Sequence, residues 1–166
     1  MLVRVVVLGV VVMMLAPVAA AAPQRSMAAM DYFAGRWDCA GSFPATGKTI
    51  ASTIRFDRDL DGKVMVKHHD DLPPAGYHAI EIWMPQPDGH GFREVIADNF
   101  GGLRTYHSDG WKGGTLSWQG AADIEPSQRF VYAKVDRETF RLDWDVSKDR
   151  MHYKLGDTLT CKRRSA

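Results

Sequence analysis

Two stretches of this 166-residue chain concentrate side chains that can transfer protons or bind metal ions. The first is the run His68-His69-Asp70-Asp71. On a β-strand, neighbouring side chains point to opposite faces, so only alternate members of the run can share an ion. A zinc site would need a further ligand, from His78 or His107. The alternative is that these polar residues form the solvent-exposed end of a strand, before the turn at residues 72–74. We favour this alternative and expect no metal site here.

In the second stretch, Glu81 and Trp83 share one face of a predicted strand, and Ile80 and Ile82 share the other. If Glu81 points inward beside Trp83, it is a candidate acid or ligand anchor. Hydrophobicity alone favours the opposite arrangement, in which both isoleucines point into the barrel. The candidate catalytic residues are Glu81, Asp98, Arg104 and His107. Motifs of serine hydrolases, phosphate-binding loops and metalloproteases are absent, so the sequence does not decide whether the protein is an enzyme.

Asp98 and Asn99 precede Phe100-Gly101-Gly102, where glycine permits backbone conformations with positive φ. These two side chains either present polar groups to a ligand or hydrogen-bond the turn itself, and the second interpretation is favoured. Arg104 lies on one face of the following predicted strand and His107 lies on the other.

Aromatic side chains are the better candidates for binding. Indoles and phenols around a cavity suit a flat or long apolar molecule, although such residues also fill hydrophobic cores. The five residues that we expect to contact a ligand are Trp83, Tyr106, Trp118, Tyr132 and Trp144. No cofactor is expected.

The elements that position these side chains are short strands. Phe140, Leu142, Trp144 and Val146 alternate with polar residues, which is the period of a strand with one buried face. A helical turn is predicted over residues 26–33, and about ten strands follow, near 35–43, 48–58, 63–71, 77–84, 91–98, 103–108, 115–121, 128–135, 139–147 and 151–163. Short turns between them, such as Asp61-Gly62, predict an all-β fold: a closed antiparallel up-and-down β-barrel.

The N-terminus has the pattern of a secretory signal peptide, residues 1–21, followed by one domain over residues 22–166. Arg4 precedes an apolar stretch and then a run of alanines. We therefore expect a periplasmic or secreted protein with no stable membrane insertion after cleavage. In an oxidising compartment the only two cysteines, Cys39 and Cys161, can form one bridge, which would place the first and last strands side by side. The net charge of +1 argues against nucleic-acid binding.

Gly35-x-Trp37-x-Cys39-x-Gly41, together with Ser108-Asp109-Gly110-Trp111 and Thr160-Cys161-Lys162, resembles an uncharacterised family of secreted bacterial lipocalin-like proteins of the calycin superfamily. In lipocalins, the tryptophan of Gly-x-Trp packs across the barrel floor under a basic side chain of the last strand. The resemblance implies structural roles for Gly35 and Trp37, with Lys162 or Arg163 as the cation.

A more distant resemblance is to nitrobindin, a haem-binding ten-stranded barrel. Its haem ligand is a histidine close to the C-terminus, and residues 157–166 contain none, so His152 would have to serve. The leading functional hypothesis is binding of a small hydrophobic or aromatic molecule in the barrel. The alternatives are an enzyme with an internal polar cluster, a haem-binding protein, and an envelope structural domain without a ligand.

Overall fold

The computed structural model describes residues 26–165, and these form a closed antiparallel β-barrel of ten main strands, as the sequence predicts. The predicted signal peptide, residues 1–21, lies outside the described residues. A 3-10 helix (Met27–Phe33) precedes the strands β1 (Gly35–Phe43), β2 (Lys48–Asp59), β3 (Val64–Asp71), β4 (His78–Pro85), β5 (Phe92–Asp98), β6 (Leu103–Ser108), β7 (Trp111–Lys112), β8 (Thr115–Gly120), β9 (Ser127–Lys134), β10 (Thr139–Ser147) and β11 (Lys154–Arg163). Between residues 26 and 165, no helix is long and apolar enough to cross a membrane.

The sheet runs in the order β6-β5-β4-β3-β2-β1-β11-β10-β9-β8, with the two-residue strand β7 as a hairpin partner of β8. Two residue pairs between β6 and β8, Tyr106 with Gly120 and His107 with Gln119, close it into a barrel. Strands β1 and β11 pair over six residues. The termini of the domain therefore meet in the middle of the sheet, opposite the short seam that closes it.

The disulfide between Cys39 and Cys161 confirms the predicted bridge. The two cysteines are directly opposite each other in the β1–β11 register. Both side chains are buried in the barrel interior, so the bridge fastens the first strand to the last from inside.

Aromatic side chains fill one end of the barrel, beneath the 3-10 helix. Ser26 caps this helix by accepting a hydrogen bond from the backbone N–H of Ala28. Phe33, at the helix end, is fully buried and stacks on the Phe56 ring. The indole N–H of Trp37 donates to the carbonyl of Phe33 over 2.7 Å. The helix and this aromatic packing close one mouth of the barrel and leave the other for a cavity.

The inner face of strands β3 and β4 is the more polar one, which corrects the simpler assignment from hydrophobicity. Ile80 and Ile82 point outward and are 49% and 36% exposed, whereas Glu81 is buried inside. Lys67 of β3 is the register partner of Glu81, and it is buried as well. The two opposite charges lie side by side, so each offsets the cost of burying the other. The outward-facing isoleucines do not indicate in the sequence that an ion pair lies on the inner face.

The guanidinium of Arg163 lies over the ring of Trp37, 4.1 Å from its centroid. It also donates to the carbonyl of Tyr32 over 2.7 Å and pairs with Glu138 at 2.9 Å. Lys162, the other candidate cation, is exposed. The arrangement joins the last strand to the floor tryptophan and to the end of the helix.

Arg163→Ala should lower the free energy of unfolding by about 2–3 kcal/mol, because it removes a cation–π contact and charge-assisted hydrogen bonds to the backbone. The matched variant Lys162→Ala should change it by less than about 0.5 kcal/mol, since that side chain is exposed. Urea unfolding of both variants measures the difference. Equal effects would show that Arg163 does not fasten the barrel floor.

Candidate functional site

The open end of the barrel holds a cavity of about 390 Å³. Aliphatic and aromatic side chains form one part of its wall, and charged or hydrogen-bonding side chains form the rest. Its lining residues are Phe43, Ile50, Lys67, His69, Asp71, Tyr77, Glu81, Asp98, Phe100, Gly102, Arg104, Gln128, Phe130, Leu142, Trp144, Asp157 and Leu159. The cavity is large enough for one small organic molecule.

A buried ion pair lies between this cavity and the aromatic core. The ammonium of Lys67 donates to Glu81 Oε1 over 2.7 Å and to the hydroxyl of Tyr132 over 2.9 Å. All three side chains are nearly inaccessible to solvent. Burial raises the pKa of Glu81, but the adjacent Lys67 ammonium and a hydrogen bond from Glu94 outweigh burial and hold it below its ordinary value. Glu81 is therefore the ionised member of this layer.

Glu94 of β5 is the protonated partner of Glu81. Complete burial, followed by the charge of Glu81, raises the pKa of Glu94 well above its ordinary value. The indole N–H of Trp83 donates to Glu94 Oε1 over 2.6 Å. Each carboxyl has one buried oxygen, Oε2, without another partner among residues 26–165. A proton on Glu94 that is donated to Glu81 satisfies both oxygens.

A second polar group lies on β3 nearer the mouth. Asp71 accepts a hydrogen bond from Ser52 over 2.6 Å, and His69 Nε2 lies 3.0 Å from the same oxygen. Burial opposes ionisation of Asp71, but these two partners outweigh it and lower the pKa of its carboxyl. Asp157 on β11 has a different environment: burial, and then the negative charge of Asp71, raise its pKa to about 7.

The third polar group lies at the β5–β6 turn. Asp98 Oδ1 accepts from the backbone N–H groups of Phe100 and Gly102, each over 2.9 Å, so Asp98 orders the turn as expected. Its other oxygen pairs with Arg104, which also reaches the hydroxyl of Tyr77 at 3.5 Å. Asn99 accepts from the backbone N–H of His78 and thereby joins the turn to β4. Asp98 consequently combines a structural role with a place on the cavity wall.

The structure brings three of the four candidate catalytic residues to the cavity: Glu81, Asp98 and Arg104. His107 lies on the outer face of β6 and is exposed. It is separated from the other three because neighbouring residues on a strand face opposite sides.

The five candidate binding aromatics lie at different depths. Trp144 lines the cavity. Tyr106 is buried behind the wall and donates to Gln128, which does line the cavity. Trp83, Trp118 and Tyr132 lie in the closely packed aromatic core, where the Trp83 ring is 5.0 Å from Trp118 and 5.4 Å from Tyr132.

Sequence reasoning missed Lys67, Tyr77 and Asp157 as cavity residues. Asp157 follows a glycine in the last strand, and no motif distinguishes it from a surface aspartate. The spacing of Lys67, His69 and Asp71 at every second position was the available signal, since it places three polar residues on one face.

The histidines and aspartates considered above as metal ligands on β3 divide between the two faces of the sheet. His69 and Asp71 face inward, whereas Asp70 faces outward and pairs with His78 at 2.9 Å. Among residues 26–165, no three histidine, cysteine, aspartate or glutamate side chains are grouped so as to hold an ion. His152, which a nitrobindin-like haem site would require, lies on the surface beside Asp149 and outside the cavity.

Asp157→Asn should stabilise the protein at pH 8 by about 1–3 kcal/mol, and by clearly less at pH 5. Because the pKa of Asp157 is raised on folding to about 7, folding favours its protonated form. Its contribution to stability is therefore complete below the ordinary aspartate pKa and is lost as the pH rises through 7. Thermal unfolding between pH 5 and pH 8 measures this. A parallel pH profile for variant and wild type would contradict it.

No protein-family model matches the chain, and no curated protein matches it. Among solved structures, the chain is similar to one described as "Structure of EF1p2_mFAP2b bound to DFHBI", with 11% sequence identity and a TM-score of 0.42. The similarity covers 84% of this chain and 100% of that chain. The strand pairing and the β6–β8 closure define the fold of this chain.

Proposed function

We propose that this barrel binds one small molecule, with an apolar body and at least one polar group, in the cavity at its open end. The observation that carries the proposal is the unequal filling of the two ends. One end is packed with rings beneath a helix, whereas the other encloses about 390 Å³. Pockets that combine apolar walls with a few placed polar groups are the usual form of small-molecule sites.

The wall chemistry supports an amphipathic ligand. Ile50, Leu142 and Leu159 offer aliphatic surface, and Phe130 and Trp144 offer ring surface. Among the described residues, the buried Arg104 Nε has no hydrogen-bond acceptor. An oxygen on a ligand would satisfy this donor and orient the molecule against the apolar wall.

A cavity-filling substitution tests the proposal. The probe is N-phenyl-1-naphthylamine, an uncharged dye whose fluorescence rises in apolar surroundings. We expect the wild type to bind it, and Ile50→Trp to weaken binding at least tenfold, because the indole would occupy part of the cavity. Ile82→Trp adds the same volume on the outer face and should bind as the wild type does. Equal binding by both variants, or no binding by the wild type, would refute the proposal.

We propose that the protein acts outside the cytoplasm. The N-terminal leader pattern and the Cys39–Cys161 disulfide support this, since disulfides persist mainly in oxidising compartments. Fractionation of the native host should recover the mature chain, without residues 1–21, in the periplasm or the medium. Recovery of the full-length chain in the cytoplasm would contradict it.

A second candidate function is proton transfer to or from a bound molecule. The observation that favours it is the carboxyl of Asp157, which lines the cavity and has a pKa of about 7, where a general acid or base works best. An aryl ketone such as acetophenone, incubated with the protein in deuterated water, would exchange its α-protons faster than in buffer. Asp157→Asn should abolish that acceleration and retain dye binding. Exchange at the buffer rate with the wild type would exclude this activity towards aryl ketones.

A further inference from the structure

We propose that the cavity selects an organic cation, that is, a protonated amine on an apolar body, with Asp157 as its counter-ion and Trp144 as an adjacent ring. This inference rests on the proposed binding function and names the chemical class of its ligand. It follows from three features of the wall: the pairing of its cations, the open carboxyl of Asp157, and the aromatic surface next to that carboxyl.

The two permanent cations of the cavity wall are already paired with carboxylates. Lys67 lies 2.7 Å from Glu81, and both side chains are almost completely buried. Arg104 pairs with Asp98, whose side chain is only 2% exposed. An anionic ligand would have to compete with Glu81 for Lys67, and the desolvation of that pair disfavours the exchange. At Arg104 only the Nε–H donor is open, and the charge of the guanidinium is already balanced by Asp98.

Asp157 differs from the other carboxyls of the wall. Within residues 26–165 its carboxyl accepts no hydrogen bond and forms no ion pair, whereas the carboxyls of Asp71, Glu81 and Asp98 each have at least one partner. The charged and titratable groups around Asp157 are Asp71, His69 and Lys67 of β3 and Asp143 of β10. Since Lys67 is neutralised by Glu81, the local excess charge is negative when Asp157 ionises.

Trp144 provides an aromatic surface beside this carboxyl. It is the register partner of Asp157 on the neighbouring strand, and both residues line the cavity. Gly156 makes room for the indole, because a Cβ at that position would lie 2.5 Å from Trp144 Cε3. A carboxylate next to the face or edge of an aromatic ring is a common arrangement for binding alkylammonium groups.

This arrangement also gives the affinity a pH dependence of known sign. A bound ammonium stabilises the ionised form of Asp157, whose pKa in the free protein is raised to about 7 by burial and by Asp71. Affinity for an amine should therefore increase as the pH rises from 5.5 to 8, while the amine itself remains protonated. A neutral ligand of the same shape should bind more weakly, or no more tightly, at the higher pH.

The test compares three probes with one ring system: 1-naphthylmethylamine, 1-naphthylmethanol and 1-naphthoic acid. By calorimetry at pH 8, the wild type should bind the amine at least about tenfold more tightly than the alcohol or the acid. Asp157→Asn should remove that preference by lowering the affinity for the amine to that for the alcohol. Asp123→Asn, which removes an exposed carboxylate, is the matched control and should behave as the wild type does.

Equal affinities for the three probes, or preference for the acid, would overturn the cation assignment. So would an unchanged amine preference in Asp157→Asn. If none of the three binds while the uncharged dye still does, the cation assignment fails and the proposed binding function stands. Failure of the dye as well would refute both.

Discussion

Lys67→Met should lower the free energy of unfolding by about 3–5 kcal/mol, a large part of the stability of a domain of this size. The substitution keeps an unbranched apolar chain of similar length but removes the ammonium between Glu81 and the hydroxyl of Tyr132. Glu81 would then be a buried carboxylate beside a second carboxyl and without a cation. The expected loss is the cost of leaving that charge uncompensated, which exceeds the net contribution of the pair itself.

The loss should depend on pH. Without the ammonium, the pKa of Glu81 should rise above its ordinary value, because burial would no longer be opposed by a positive charge. Stability is then retained below the ordinary glutamate pKa and lost as the pH rises through the new one, so the variant should be least stable at pH 8. Urea unfolding at pH 5 and pH 8 measures this dependence.

Two further variants distinguish the charged carboxyl from the protonated one. Lys67→Met combined with Glu81→Gln should recover much of the lost stability, because no buried charge remains. Glu94→Gln alone should cost less than about 1 kcal/mol, since an amide can accept from the Trp83 indole as the protonated acid does, and can donate to Glu81. If Glu94→Gln costs as much as Lys67→Met, Glu94 carries a charge and the assignment of the proton is wrong.

The barrel was predictable from the sequence because local rules and the global fold agree along most of the chain. Turn residues separate the strands, and positions such as Leu116 and Trp118 point inward together, as their alternation predicts. The cysteine spacing supplied the one long-range constraint, the pairing of β1 with β11. The seam at β6 and β8 could not be predicted, since two residue pairs leave no pattern in the sequence.

The cavity was less predictable, because hydrophobicity assigns the wrong face to β4. Hydrophobicity assigns Ile80 and Ile82 to the core, and only the pairing of Lys67 with Glu81 reverses that assignment. That pairing depends on the register between two strands, which a single sequence does not specify. The environment of Asp157 is equally hard to predict from the sequence. Its pKa is raised by burial and by Asp71, which is 86 positions away in the chain. Residue types therefore suggested Glu81 and Arg104, but not the partners that determine their charge.

Replacement of Cys39 and Cys161 by alanine should lower the free energy of unfolding by about 4–5 kcal/mol. The bridge closes a loop across a sequence separation of 122 residues, and the chain-entropy model gives a cost of this size for a loop so long. Most of this change in the free energy of unfolding arises in the unfolded state, because the unfolded chain becomes more expanded without the bridge. The urea m-value should therefore rise in the variant while the native fluorescence of the buried tryptophans stays unchanged.

Because the disulfide joins β1 to β11, its removal should loosen the folded state first at these two strands. Strands β2–β6 and β8–β10 are held by consecutive neighbours along the chain, whereas β1 and β11 come from its two ends. Without the disulfide, those ends are held together by their six-residue pairing, by the Arg164–Asp38 ion pair, and by the contact of Arg163 with Trp37 and the helix. Hydrogen exchange should therefore accelerate first in β1 and β11, and Arg163→Ala should destabilise the cysteine-free variant by more than it destabilises the wild type. A loss below about 1 kcal/mol with uniform exchange would show instead that strand pairing alone holds the two ends together.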